Sequence, residues 1–242
     1  MKGISIEVEA LTVSFRESVG QLYHETLPLP PPSTLLGLAG AALGKSFEDT
    51  LEFFKQNQIG VGCRGKHQGC ANDLWNYTKL KSGGGTEKDI VVREFLYGFQ
   101  GELYYICEDE KVADTLYHAF LSPYFGLTLG NSDDLIRINK VMWHDQVYKD
   151  KSCLLSDTWV NGDQLAAIEL NWETIKKVPI AQTITPPSVK ILPTDYIFDD
   201  KGARQVKNHH VFTFLGDKQR LTQSIPVYLF QKTAVSCFVF SG

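Results

Sequence analysis

Residues 3–15 read Gly-Ile-Ser-Ile-Glu-Val-Glu-Ala-Leu-Thr-Val-Ser-Phe, and residues 27–44 read Leu-Pro-Leu-Pro-Pro-Pro-Ser-Thr-Leu-Leu-Gly-Leu-Ala-Gly-Ala-Ala-Leu-Gly. In the first run Ile4, Ile6, Val8 and Ala10 alternate with polar residues, and Leu11, Val13 and Phe15 then alternate in the opposite phase. That predicts one long strand with a β-bulge near Ala10. In the second run the prolines stiffen a loop, Ser33 or Thr34 is placed to cap a helix, and the helix runs from Leu35 to about Gly44. Gly37, Gly40 and Gly44 recur every three or four residues and lay a smooth stripe along one helical face. An interior glycine costs about 1 kcal/mol against alanine, so the stripe implies a close helix-to-sheet approach.

Working outward, residues 47–56 and 110–121 carry apolar side chains at helical spacing, Leu51, Phe53 and Phe54 in the first and Val112, Leu116, Ala119 and Phe120 in the second. Strand-like segments lie at 59–63, 75–81, 90–97, 103–107 and 135–143. A Gly-Gly-Gly tip stands at 83–85, and Gly98-Phe-Gln-Gly101 reads as a hairpin turn. Strand, helix, strands, helix, strand is the order of an α+β, ferredoxin-like or RRM-like lobe with one open sheet face. From about residue 144 short strand-like pieces at 166–170, 189–192, 211–215, 227–231 and 235–240 are punctuated by prolines. Two domains are therefore expected, residues 1–145 as the RRM-like unit and residues 146–242 as a smaller, mostly β lobe.

The apolar fraction of 43% and charged fraction of 21% are those of an ordinary globular chain. The longest apolar run, 34–43, is far short of the roughly 18 residues a membrane helix needs. Glu7 and Glu9 fall where a signal peptide would be apolar, so a cytoplasmic, non-membrane protein is expected. The five cysteines, at 63, 70, 107, 153 and 237, are odd in number and scattered, as free thiols in a reducing compartment are. Cys63, His67 and Cys70 lack zinc-site spacing, and no metal or cofactor is called for. A net charge of −4 excludes a broadly basic, indiscriminate nucleic-acid binder. Any RNA contact must be local, and two stretches are locally basic: 64–93, with Arg64, Lys66, Lys79, Lys81, Lys88 and Arg93, and 201–220, with Lys201, Arg204, Lys207, Lys218 and Arg220.

Residues 12–16, Thr-Val-Ser-Phe-Arg, together with 27–44 resemble the N-terminal signature of the CRISPR-associated Cas-five family of the RAMP superfamily. Residues 123–131, Pro-Tyr-Phe-Gly-Leu-Thr-Leu-Gly-Asn, resemble that family's leucine-glycine loop after the second helix, with Asn131 where the family often carries a basic residue. Length and style are most like the type I-B branch. The resemblance implies a non-catalytic subunit that grips the 5′ handle of the CRISPR RNA and caps one end of the Cascade filament. Such a subunit touches the backbone and large subunits and lies near target DNA through the complex, in antiviral defence or RNA-guided DNA targeting. It also implies a β-hairpin thumb inserted in the first lobe, here about residues 63–89, the basic stretch with the glycine tip.

Candidate RNA-binding residues follow from chemistry. Ser33 and Thr34 stand at a helix mouth that offers N–H groups and partial positive charge to a phosphate, and Arg16 offers a forked donor. Arg64, Lys66, Lys79 and Lys81 neutralise backbone charge while Trp75 and Tyr77 present stacking faces, a combination suited to single-stranded RNA. Asn131 joins from the leucine-glycine loop, and Arg204 with Lys207 forms a second patch. Each has a plainer structural counterpart: a capped helix, a solvated arginine, a core aromatic. One branch of the family cuts its precursor RNA without metal through a tyrosine, a lysine and a histidine. Lys66-His67 and Tyr23-His24 are the pairs that would serve such an endoribonuclease here, which is the alternative reading. A second alternative is an RRM-like RNA-binding protein outside CRISPR. Walker loops, dinucleotide fingerprints and nucleophile elbows are absent.

Overall fold

A computed structural model describes residues 1–17, 23–80, 84–177, 185–217 and 219–242. The first part of the chain forms β1 (Lys2–Val13), β2 (Tyr23–His24), α1 (Pro32–Leu43), α2 (Phe47–Gln56), β3 (Gly60–Lys66), β4 (Gly69–Leu80), β5 (Thr86–Cys107), α3 (Glu110–Leu121) and β6 (Ile136–His144). Strand β1 lies between β5 and β6, and β3 lies on the far side of β5, all antiparallel. Ile4, Ile6 and Val8 of β1 share the main core with Leu35, Leu36 and Ala39 of α1 and with Val112 and Leu116 of α3. Strand β1 carries no extra residue near Ala10: it keeps one register with β5 from Lys2 to Val13, and the shift in its pairing with β6 between Glu7 and Val8 places the extra residue, Asn139, in β6.

Helix α1 begins differently from the expectation. Pro31 is its N-cap, Pro32 occupies the first turn and no side chain caps it. A proline there gives up an N–H that has no helical partner in any case, so Ser33 and Thr34 are already inside the helix. The glycine stripe serves a helix-to-helix contact, correcting the helix-to-sheet reading: a Cβ on Gly40 would meet Thr50 Oγ1 of α2 at 2.5 Å, and Gly37 faces Phe47.

No turn forms at 98–101. Strand β5 runs unbroken for 22 residues, and Gly101 sits directly opposite Gly65 of β3. A Cβ at either glycine would come within 3 Å of the Phe99 ring, so these glycines make room for a buried aromatic. Strand β4 pairs with the outer half of β5, from Gly69↔Tyr97 to Leu80↔Thr86. The projecting hairpin is therefore 69–97, shifted from the expected 63–89, because Cys63 to Lys66 belong to β3 in the body of the sheet.

The second part contains β7 (Val147–Ser152), β8 (Thr158–Asn161), β9 (Ile168–Leu170), a short helix α4 (Trp172–Ile175), β10 (Ser188–Phe198), β11 (Arg204–Leu215), β12 (Gln219–Leu221), β13 (Ile225–Phe230), β14 (Thr233–Val235) and β15 (Phe238–Val239). Strands β8, β11 and β10 continue the first sheet beyond β3, through the Arg64↔Thr158 pairing. The pattern change near residue 145 thus marks no break in the main core, which Trp159, Tyr196, Phe212, Phe214 and Phe240 also enter. A smaller cluster of Leu155, Val160, Leu215, Leu221 and Ile225 belongs to the second part alone. A separate sheet, β14-β13-β7, covers one end of the face opposite the helices, where Phe230 and Val147 pack with Tyr104 and Ile106. On β8 and β11 the cluster around Val160 and Leu215 covers that face, and on β1 and β5 it is left partly exposed at Glu7, Glu9 and Glu102.

Candidate nucleic-acid interface

The hairpin's root is where distant segments meet. After β1 the chain folds back on itself: Leu27 N–H donates to the Phe15 carbonyl at 2.8 Å, Glu17 N–H to the Glu25 carbonyl at 2.9 Å, and Arg16 bridges Thr26. The same turn lays β2 beside β5, pairing Tyr23 with Val92 and His24 with Arg93. Ser14 donates to the Glu94 carbonyl at 2.9 Å. The loop after α3 closes the cluster. Gly130, at φ +116°, lies so close to β1 that a Cβ would stand 2.3 Å from the Ser14 carbonyl oxygen. Asp134 accepts from Thr12 at 2.8 Å and from the Asn131 N–H at 3.2 Å.

Arg93 ties the loop to the hairpin. It is 9% exposed and donates to Asp73 from Nη2 at 2.6 Å and from Nε at 3.1 Å, and to Asp133 at 3.2 Å. Its guanidinium lies 5.6 Å from the Trp75 ring centroid. His24 meets that ring edge-on at 6.1 Å, and Tyr77 lies 6.3 Å from it on the same strand face, its hydroxyl donating to Asp89. Burial lowers the pKa of His24, and the charges of Arg16 and Arg93 lower it further, keeping the imidazole neutral. Arg16 is also within electrostatic reach of Tyr77. The root thus brings together Arg16, Trp75 and Tyr77, which the sequence offers as RNA-binding candidates, with His24, which it offers only for the ribonuclease alternative, and Arg93, which it counts only within the basic stretch. One signal for Arg93 was available: it shares strand parity with buried Val91, and a cation on an inward-facing position needs a carboxylate partner.

The other candidates go elsewhere. Arg64 donates to the Ser156 carbonyl and hydroxyl at 3.3 and 3.2 Å, and Lys66 pairs with Asp157 and Asp217, each at 3.2 Å. Both line a recess of about 400 Å³ on the exposed part of the sheet face, together with Glu7 and Glu102, so they are not part of the projecting hairpin. Ser33 lies beside the Tyr196 phenol, whose pKa burial raises while Ser33 lowers it. The Asn131 amide turns inward to Asp134. On the β10-β11 hairpin Arg204 stacks between Phe47 and Tyr196, at 4.5 and 4.9 Å, while Lys207 pairs with Asp195, which also binds Lys55. Lys81, Lys218 and the side chain of Lys79 lie outside the described residues. The adjacent pairs do not converge, because neighbouring strand residues face opposite ways. Lys66 reaches its two aspartates while His67 bonds the Gly69 carbonyl, and the Tyr23 hydroxyl donates to Asn72 while His24 packs on Trp75. Among the described residues no group of three or more His, Cys, Asp and Glu is arranged to hold a metal.

No curated protein matches the sequence. Among solved structures, a chain of a CRISPR RNA-guided surveillance complex superposes with a TM-score of 0.54 at 15% identity, over 93% of this chain and 91% of that one. A CRISPR protein from Archaeoglobus fulgidus superposes with the same score at 14% identity, over 97% and 98%. These are likenesses of fold. The family model described as CRISPR-associated protein (Cas_Cas5) matches residues 3–153, more than half the chain. That span holds β1, the proline loop, the whole hairpin and the leucine-glycine loop, and on it the chain belongs to the CRISPR-associated Cas-five family.

Proposed function

We propose that the chain is a CRISPR effector subunit that grips the 5′ handle of the guide RNA at the hairpin root. In this reading it caps one end of the Cascade backbone filament, abuts the backbone and large subunits, and acts without cutting RNA. The observation that carries the reading is the meeting of the two signature segments with the hairpin, through Ser14 against Gly130 and Arg93 between Asp73 and Asp133. Three separate stretches of chain are held at one place, where Arg16 offers charge and Trp75 and Tyr77 offer faces to a single strand. The strand order β6-β1-β5-β3, with α1 and α3 sharing one core beside it, supports a ferredoxin-like lobe as the scaffold. Among the described residues no helix is long and apolar enough to cross a membrane, and a cytoplasmic ribonucleoprotein of type I-B style is part of the same proposal.

The test is binding of repeat-derived single-stranded RNA, read by fluorescence anisotropy across a salt series, with metal chelated and the RNA checked for cleavage. Arg16→Ala is expected to weaken binding about fivefold and to reduce the salt slope by about 0.7, the release expected for one phosphate contact on a single strand. Equal affinity and slope in the variant sink the assignment of the root, and site-specific cleavage by the wild type sinks the non-catalytic role.

A further inference from the structure

Trp75 is 41% exposed, yet its ring is oriented by its neighbours. Arg93 lies against it at 5.6 Å, His24 meets it edge-on at 6.1 Å and 68°, and Tyr77 tilts beside it at 6.3 Å and 36°. Arg93 has little charge left for a phosphate, since two carboxylates already flank its guanidinium. Its fork is fixed by those carboxylates, and a fixed planar cation against an indole holds the ring by cation–π attraction.

Resting on the handle-binding reading, we propose that Trp75 is the platform on which one unpaired nucleobase of the bound RNA stacks. Arg93, clamped by Asp73 and Asp133, is the positioning residue that presents the indole. Such a platform tolerates any base, because every base has a π-face, and it selects against a base already stacked in a duplex. The clamp also makes the platform depend on the leucine-glycine loop: Asp133 comes from that loop, Asp73 from the hairpin, and Arg93 sits between them.

The experiment is a cycle between protein variants and abasic RNA. Repeat-derived single-stranded RNAs, each with one abasic nucleotide, are titrated into the full-length protein, with the fold of every variant checked by circular dichroism. In the wild type one position is expected to cost about tenfold in affinity when its base is removed, within the range for a single stacking contact. Trp75→Ala is expected to lose a similar factor with intact RNA and to show no further loss at that position. Trp75→Phe keeps part of the abasic penalty. Arg93→Gln shrinks the penalty while leaving the salt slope at its wild-type value, which separates a positioning role from a lost phosphate contact, and Arg93→Lys restores only part of it. If RNA binds with the expected sensitivity to Arg16→Ala but no abasic penalty depends on Trp75, the stacking proposal is overturned and the handle-binding reading stands. If the wild type binds no repeat RNA, either alone or with its backbone subunit, both fall.

Discussion

The hairpin root and the exposed part of the sheet face are both dotted with cations, and they treat them in opposite ways. On the open face Lys66 is held between Asp157 and Asp217, Arg137 pairs with Glu9 at 2.6 Å, and Glu7 and Glu102 stand alongside. That surface is neutral to acidic, although Arg64 and Lys66 come from a locally basic stretch of the chain. At the root, Arg93 is also neutralised, but its clamp orients an exposed indole with Tyr77 beside it and Arg16 nearby. The difference teaches that a local count of lysines and arginines does not give the charge that a surface presents. What counts is whether carboxylates from distant positions cancel the charge or use it to fix an aromatic ring.

The comparison can be broken most forcefully at Gly130. Gly130→Ala places a Cβ against the Ser14 carbonyl in a left-handed backbone, at an expected cost of about 3 kcal/mol. Urea denaturation should show that loss, with RNA affinity falling in the surviving folded fraction because Asp133 is displaced. Unchanged stability would mean that the loop is not locked to β1. Next in size, Arg93→Ala leaves Asp73 and Asp133 facing each other, though both are partly solvated, and a loss of about 2 kcal/mol is expected. Asp133→Asn should recover part of it in the double variant.

Acidification tests the root more gently. Burial lowers the folded-state pKa of His24 and of His144, whose ring shares a hydrogen bond with Ser5 at 2.9 Å. Each is below its unfolded value of 6.5, so the unfolded chain takes up protons first. Stability should be complete above about pH 6.5 and decline as pH drops through that value toward the folded pKa. The urea midpoint should shift accordingly, and His144→Gln should flatten the profile. The smallest effect sharpens the contrast: Lys66→Gln is expected to change RNA affinity less than about twofold, since exposed, already paired charges contribute little. A tenfold loss would return the open face to the RNA path.

Much of the scaffold was legible because its signals are local. The spacing of Leu51 and Phe54, or of Val112, Leu116 and Phe120, repeats within a few residues and places those helices at 47–56 and 110–121. The hairpin's position was less legible. Gly98-Phe99-Gln100-Gly101 has the composition of a turn, and only the pairing with Gly65 of β3 reveals that Gly101 clears space for the Phe99 ring inside a continuous strand. The candidate site divided along the same line. Arg16, Trp75 and Tyr77 were readable by residue type, whereas the fate of Lys66 depends on Asp157 and Asp217, 91 and 151 positions away. Sequence spacing carries no trace of such pairings.

The continuity of β5 has a mechanical consequence. Its 22 residues make a rod of roughly 70 Å at the usual rise per residue, bent at left-handed Gly98. One end reaches the hairpin tip, and the other is gripped on both sides by β1 and β3 with Tyr105 and Ile106 wholly buried. The hairpin is thus a cantilever, not a hinged flap. A load applied near Thr86 travels as flexure into the clamped segment beside α3, and the stiffness with which the hairpin resists deflection is set by the cohesion of the core that anchors it.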